Sequence, residues 1–546
     1  MKTIDKYLLA TLIGGLSFSQ IGNVALAAAE TERLYAQHCA SCHGGNRLGG
    51  TGPALLPENL SRLRRTKANI VIKQGAPATQ MPAFGDKLTD KQIQALVDYI
   101  YTPLPEIPVM GMAQIKATHV IHDPCGSLPN RPAYKADPLN LFIVVELGDH
   151  HATLLDGDRL APIHRFPTRF ALHGGPKYSS DGRFVYLASR DGWISKFDMY
   201  NLKTVAEIRA GINTRNLALS GNDRYVMVAN YLPHTLVVLE ACDLSPVKVI
   251  DVRDDTGKRS SRVSAVYTAP PRDSFIAALK DIKEVWEIPY NIQAQALPVY
   301  FGPMFDYRRG AGETRQEFPI QRIKLSDYLD DFFFDKDYQY LIGAARDGAK
   351  GQVVNLSVKR KIAELDLPGM PHLGSGITWV YQGKQVLATP NLKEGVVSVI
   401  DMQTWQTIRR IDTLGPGFFM RSHENTPYAW VDVFFGPHKD AVHVIDKRTL
   451  EIVKTLRPVP GKTAAHVEFD RYGRYALLSV WDMDGALIVY DAATLKEVKR
   501  LPMRKPSGKY NVYNKIHLSS GTSHWFQFFS EFESSPTRPL ILWHGH

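Results

Sequence analysis

The sequence predicts two modules, a small all-α domain followed by an all-β eight-bladed propeller. Three observations carry this. Cys39-Ala40-Ser41-Cys42-His43 opens a stretch whose apolar residues repeat at helical spacing. Pairs of β-rich segments recur between about residue 140 and residue 515. Asp401, Asp446 and Asp491 close three of these pairs at intervals of about 45 residues, the length of one four-stranded blade, so the region holds about eight blades.

Composition fits this division. The 546 residues are 44% hydrophobic and 22% charged, as in a globular protein too long for one core. The 34 Pro, 41 Gly, 24 Tyr and 23 Phe favour turns and strands. The formal charge is +10, with a pI of about 9.1. No basic cluster or nucleic-acid motif accompanies it, so the expected partners are an anionic small molecule and an acidic redox protein, not nucleic acid.

In chain order, residues 1–27 read as a signal peptide. Lys2 and Lys6 precede the apolar Tyr7–Phe18 stretch, and Ala25-Leu26-Ala27 offers a cleavage site. An uncleaved anchor is the alternative. The stretch is short for a membrane span and no later one reaches the length needed to cross a bilayer, so no stable membrane insertion is expected.

Residues 28–105 form the helical domain. C-x-x-C-H attaches a c-type haem: Cys39 and Cys42 bind it covalently and His43 binds the iron. Such attachment takes place outside the cytoplasm, which with the leader predicts a periplasmic protein. Thr31–Cys39 is expected to be helical, and Thr51–Leu55 to cover the haem edge. Thr89-Asp90-Lys91-Gln92 is a capping box ahead of Ile93, Leu96, Val97, Ile100 and Tyr101. Met81, in Gln80-Met81-Pro82-Ala83-Phe84, is the expected sixth ligand, a soft thioether that favours ferrous iron. His38 competes, but lies beside Cys39 and is badly placed for the opposite face.

Pro103, Pro105 and Pro108 stop the last helix and begin a linker over residues 106–139. The propeller is expected over 140–520. Its paired segments include 183–188 with 193–198, 224–229 with 235–240, 428–432 with 441–446, and 474–479 with 486–491. The pattern is least regular at 255–330. Residues 521–546, with Phe526, Phe528, Phe529, Phe532 and Leu540-Ile541-Leu542-Trp543, form a tail with no assigned role. Cys125 and Cys242 are either a disulfide or two separate thiols, because pairing depends on geometry.

Two histidines stand beside glycine, in Leu172-His173-Gly174-Gly175 and Pro371-His372-Leu373-Gly374. Small neighbours let a flat group approach an imidazole, so both are candidate metal ligands.

The order of modules, with Phe170-Ala171-Leu172-His173, Leu187-Ala188-Ser189-Arg190-Asp191, Asn213-Thr214-Arg215 and Pro506–Asn514, resembles the cytochrome cd1 family over nearly the whole mature chain. The resemblance implies a cytochrome c domain and a propeller that binds haem d1, in a denitrification setting. It makes His173 the proximal d1 ligand and gives Arg190 and Arg215 the carboxylates of d1, which guanidinium groups pair well. Nitrite reductases of this family use two distal histidines. His372 matches the second, whereas Tyr328-Leu329-Asp330-Asp331 puts Asp330 at the first. A carboxylate there repels nitrite and does not suit proton delivery near neutrality.

The chain is more similar to the NirN-type dihydro-haem d1 dehydrogenases, paralogues of the nitrite reductases, which oxidise a propionate of the tetrapyrrole to an acrylate. That resemblance and the chemistry imply His466 as base and Tyr510 as its partner, with His372 as distal ligand and Arg421 and Tyr231 as further pocket residues. It also implies that electrons leave through the c-haem to a periplasmic acceptor, and that the product passes to a cytochrome cd1 nitrite reductase. The competing readings are nitrite reductase itself and, in another class, a periplasmic carrier of haem d1.

Overall fold

The computed structural model describes residues 26–76, 80–291, 317–345, 350–367 and 370–517. The expected leader up to residue 25, the tail from Trp525 and a third of the irregular 255–330 stretch lie outside these residues.

The first module is helical. Residues 26–38 form one helix, and Ala40–His43 continue it as a single turn carrying the haem-attachment motif. Helices Arg65–Gln74 and Asp90–Ile100 follow. Thr89 and Gln92 form the predicted capping box by exchanging hydrogen bonds. Ile93, Leu96, Val97 and Ile100 are buried against Leu34, Tyr35 and Phe84. The apolar stripe thus does what its spacing predicts.

Eight antiparallel sheets follow. Seven are built in chain order: Lys177–Arg209 (blade 2), Asn213–Asp251 (3), Val263–Lys324 (4), Asp331–Leu365 (5), Ile377–Asp412 (6), Met420–Leu456 (7) and Ala464–Met503 (8). Blade 1 takes Leu141–Glu146, His151–Asp156 and Ala161–Pro167 from the start of the propeller and Pro506–Asn511 from its end. That last strand closes the ring by completing blade 1, and each blade keeps only short, protected edges. The first strand of each of blades 2–8 and the closing strand of blade 1 are the inner edges.

The repeating acidic residues are turn caps. Asp401 accepts from the backbone N–H of Gln403 and Thr404, Asp446 from Arg448, and Asp491 from Ala493 and Thr494. Four residues after each, Trp405, Leu450 and Leu495 take positive φ of 61°, 59° and 57°. The carboxylate holds a tight turn whose last residue is left-handed, which explains why the period is visible in the sequence.

The 106–139 stretch is stitched to the propeller. Met112–Ala117 is a short helix whose Ile115 packs among residues of blades 2 and 3. Val120–Ile121 add a fifth strand to blade 2, and Cys125 is disulfide-bonded to Cys242 of blade 3. No helix among the described residues is long and apolar enough to cross a membrane.

The two modules touch directly. Asn59 donates to the Tyr231 carbonyl (3.1 Å), and Asn213 donates to that of Gly50 (3.3 Å). Arg62 donates to the Lys280 carbonyl (2.6 Å), stacks over Tyr328 and pairs with Asp330 at 3.4 Å.

Candidate functional site

One continuous cavity of about 780 Å³ runs from the haem-attachment motif to the mouth of the propeller. At one end it is lined by Cys39, Cys42, His43 and Met81, with His38 also on its wall. The Nδ1 of His43 lies 2.8 Å from the Pro53 carbonyl, an acceptor, so Nδ1 carries the proton and Nε2 is left for iron. Burial also holds this imidazole below the usual histidine range, in the neutral form a ligand needs. A side chain at Gly52 would come within 2.7 Å of the His43 ring, so glycine is required there. These residues fit a covalent haem.

At the other end stand His173 and His372. Each Nδ1 points at a backbone carbonyl of the next blade: Arg215 at 2.7 Å and Phe418 at 2.6 Å. The three candidate histidine ligands therefore share one orientation, with Nδ1 against a carbonyl. The Nη1 of Arg215 lies against the edge of the His173 ring, 2.8 Å from Nδ1 and 2.9 Å from Nε2, so the guanidinium must swing aside for Nε2 to take iron. Arg190 also lines the cavity. Phe418 and Phe419 wall off His372, with ring centroids 4.2 and 6.1 Å away.

His466 differs from the three. It lies on the inner strand of blade 8, where the register slips between Ala465 and Glu468, and its φ of 55° is left-handed. A non-glycine residue in such a bulge is strained, and strain of this kind collects at functional positions. Its Nδ1 is buried without a hydrogen-bond partner. Burial, then the charges of Lys509, Arg421 and Lys515, push its pKa well below the ordinary value. The result is a neutral imidazole with a bare nitrogen. Tyr510, on the closing strand of blade 1, faces it edge-on with centroids 5.0 Å apart. Burial pushes the Tyr510 phenol up to about 12, so it stays protonated.

Cations surround this pair. Arg421 is buried, its Nε has no partner, and burial lowers its pKa. Lys515 and Lys177 line the same wall, and burial brings them down to about 7 and about 8. The buried carboxylates Glu468 and Asp432 offset part of this charge from behind, and the three cations on the cavity wall suit the carboxylates of a ligand.

Two sequence expectations need correction. Asp330 does not face the cavity. It is buried against Lys280 and Arg62 at the seam between modules. The carboxylate in the cavity is the next residue, Asp331, which accepts from the Gly374 N–H (2.6 Å) and lies 3.7 Å from His372 Nε2. Adjacent residues entering a strand point to opposite sides, so Asp330 and Asp331 go to different places. Tyr231 is likewise absent from the lining. It sits at the seam near Arg262 and Lys280. Lys177, Lys515, Tyr267 and the Phe418-Phe419 wall were not foreseen. The doubled phenylalanines at 418–419 and 434–435 were the available signal, since exposed loops rarely carry such pairs.

The family model "Cytochrome D1 heme domain" matches residues 136–301 and 305–515. The chain belongs to the cytochrome d1 haem domain family. The model "Cytochrome C oxidase, cbb3-type, subunit III" matches residues 26–100. The chain is 57% identical to the dihydro-haem d1 dehydrogenase of Pseudomonas aeruginosa, over 90% of this chain and 95% of that one. It is 25% identical to the nitrite reductase of Stutzerimonas stutzeri, over 95% and 100%. Among solved structures, the dihydro-haem d1 dehydrogenase NirN in complex with DHE superposes with a TM-score of 0.73 at 56% identity. That match covers 89% of this chain and 99% of the other.

Proposed function

We propose that this chain is an oxidoreductase that converts dihydro-haem d1 to haem d1. The observation that carries this reading is the contrast among four histidines. His43, His173 and His372 are oriented as iron ligands, whereas His466 has a buried, unpartnered Nδ1 beside Tyr510. A carrier needs ligands and a cavity. A neutral imidazole on the cavity wall, beside a protonated tyrosine, is what proton abstraction needs. The likeness to a dihydro-haem d1 dehydrogenase over nine-tenths of the chain supports the same conclusion.

The reaction removes two electrons and two protons from a –CH2–CH2– unit of a propionate, leaving –CH=CH–. His173 and His372 hold the substrate's iron, while Arg421 and Lys515 attract its carboxylates. His466 takes one proton at its imidazole, and Tyr510 orients the side chain being oxidised. The second proton passes to solvent through the open mouth. Haem c, held by Cys39, Cys42, His43 and Met81, supplies a one-electron outlet. Arg190 and Arg215 bind further carboxylates on the rim.

The setting we assign is the periplasm of a denitrifying bacterium, reached by a signal peptide ending near residue 27. The electron acceptor is a periplasmic redox protein, and the product is passed to a cytochrome cd1 nitrite reductase. The test is to mix purified protein with dihydro-haem d1 and follow the absorption spectrum. Conversion to haem d1 with concurrent reduction of haem c supports the reading. Binding without conversion identifies a carrier, and steady nitrite turnover by the d1-loaded protein identifies a reductase.

A further inference from the structure

Asp432 ends the second strand of blade 7 and does not line the cavity. It is 1% exposed, and burial pushes its carboxyl up to about 6. Its oxygens are spent on three backbone N–H groups. Oδ1 accepts from Phe418 (2.8 Å) and Phe419 (3.0 Å), and Oδ2 accepts from His466 (3.1 Å).

Those three donors belong to the two halves of the site. Phe418 supplies the carbonyl that receives Nδ1 of His372, so the segment fixes how that imidazole presents Nε2. The Phe419 ring packs against His372 and, at 4.6 Å, against His466. The third donor is the N–H of His466 itself, at the residue whose φ is 55°. A left-handed non-glycine residue persists only where its surroundings hold it there. Here the register slip has freed that N–H from the ladder, and the Asp432 carboxylate takes it up.

We infer that Asp432 is a positioning residue that locks the distal ligand His372 and the base His466 into one frame, and so sets where on the bound tetrapyrrole the proton is removed. The inference rests on the roles proposed above for His372 and His466. Its physical basis is that a carboxylate has acceptors on two sides. One side binds the Phe418-Phe419 segment and the other binds the bulge, across the gap between blades 7 and 8. An amide of equal size has an acceptor on one side only. A partner of this kind orients groups that do the chemistry without touching substrate, and a displacement of about 1 Å at such a site costs roughly 100-fold in rate.

The test uses the full chain with its covalent haem and the Asp432→Asn variant. Expected is a conversion rate reduced roughly 100-fold with the dissociation constant for dihydro-haem d1 changed less than about threefold. A second readout is independent of turnover. Ferric haem d1 added to the wild type gives a low-spin, bis-histidine electron paramagnetic resonance signal, and in Asp432→Asn about half or more of it moves to a high-spin form. Wild-type rate and an unchanged low-spin signal overturn the inference, as does a loss of thermal stability alone. If Asp432→Asn does not fold, Asp432→Glu keeps both acceptors but moves them, and turns over about tenfold slower or worse. A folded Asp432→Glu with wild-type rate also overturns it. His466→Ala measured alongside separates the two levels: turnover intact there overturns the base assignment, whereas turnover lost there but intact in Asp432→Asn overturns this inference alone.

Discussion

His173 and His372 hold the same station on opposite blades. Each follows a residue that bridges across to the neighbouring strand end, Leu172 to Ser189 and Pro371 to Asn391. Each backbone N–H donates to that strand, to Ala188 at 2.9 Å and Pro390 at 3.0 Å. Each Nδ1 then meets a carbonyl of the following blade. Blades 2 and 6 are four apart in a ring of eight, so the repeat delivers two equivalent imidazoles from opposite sides. A flat ring with a central metal fits between two such ligands. His372→Ala is expected to convert the bound ferric tetrapyrrole from low to high spin and to weaken binding at least about tenfold, read by optical titration.

His466→Ala removes the base but no ligand. Conversion of dihydro-haem d1 is expected to fall by about 10²- to 10⁴-fold while binding persists. Loss of binding instead identifies a packing residue. Tyr510→Phe keeps the ring against His466 and removes the hydroxyl, so its rate separates a hydrogen-bonding role from a packing one.

The pH dependence follows from burial. His466 acts unprotonated, and its pKa lies well below 6.5 because burial and the neighbouring cations penalise the charged form. The acid limb of the rate profile is therefore expected well below pH 6.5, and a limb at 6.5 contradicts this. Lys515, at about 7, behaves in the opposite sense. It attracts the carboxylates only while protonated, so substrate binding is expected to weaken as pH rises above about 7. In Lys515→Met that alkaline weakening is expected to shrink.

Asp331 faces His372 across 3.7 Å. Its charge opposes any small anion on that side of the cavity. In His372→Ala, where the distal position is open, adding Asp331→Asn is expected to raise the affinity of the d1-loaded ferric protein for nitrite by at least about tenfold, measured by optical titration. Unchanged affinity removes Asp331 from the account of specificity.

Cys125 and Cys242 are 117 residues apart and cross-link the inter-module stretch to blade 3. Cys125→Ser is expected to lower unfolding stability by about 2–4 kcal/mol, read by denaturant titration, with turnover of the folded enzyme preserved. Equal stability means that blade packing alone holds the stretch.

Local chemistry was legible in the sequence wherever a signal is carried by near neighbours. Cys39, Cys42 and His43 are adjacent, the Thr89–Gln92 capping box spans one helical turn, and Asp401, Asp446 and Asp491 each cap their own turn. The blade count followed from these turns. Neighbouring glycines marked His173 and His372, resemblance and chemistry added His466 and Tyr510, and the fold brings all four to one cavity.

What faces the cavity was a different matter. Asp330 and Asp331 are chemically identical neighbours, and strand geometry alone sends one to Arg62 and the other to His372. Tyr231 left the site for the seam, and Asp432 became a junction because blades 7 and 8 meet there. The pairing of Cys125 with Cys242 also required the packed chain. The sequence by itself determined which elements form and which residues bear chemistry, because those signals lie within a few positions of one another. Only the tertiary structure decided which of those residues share a cavity, because closing a ring of eight blades joins positions hundreds of residues apart.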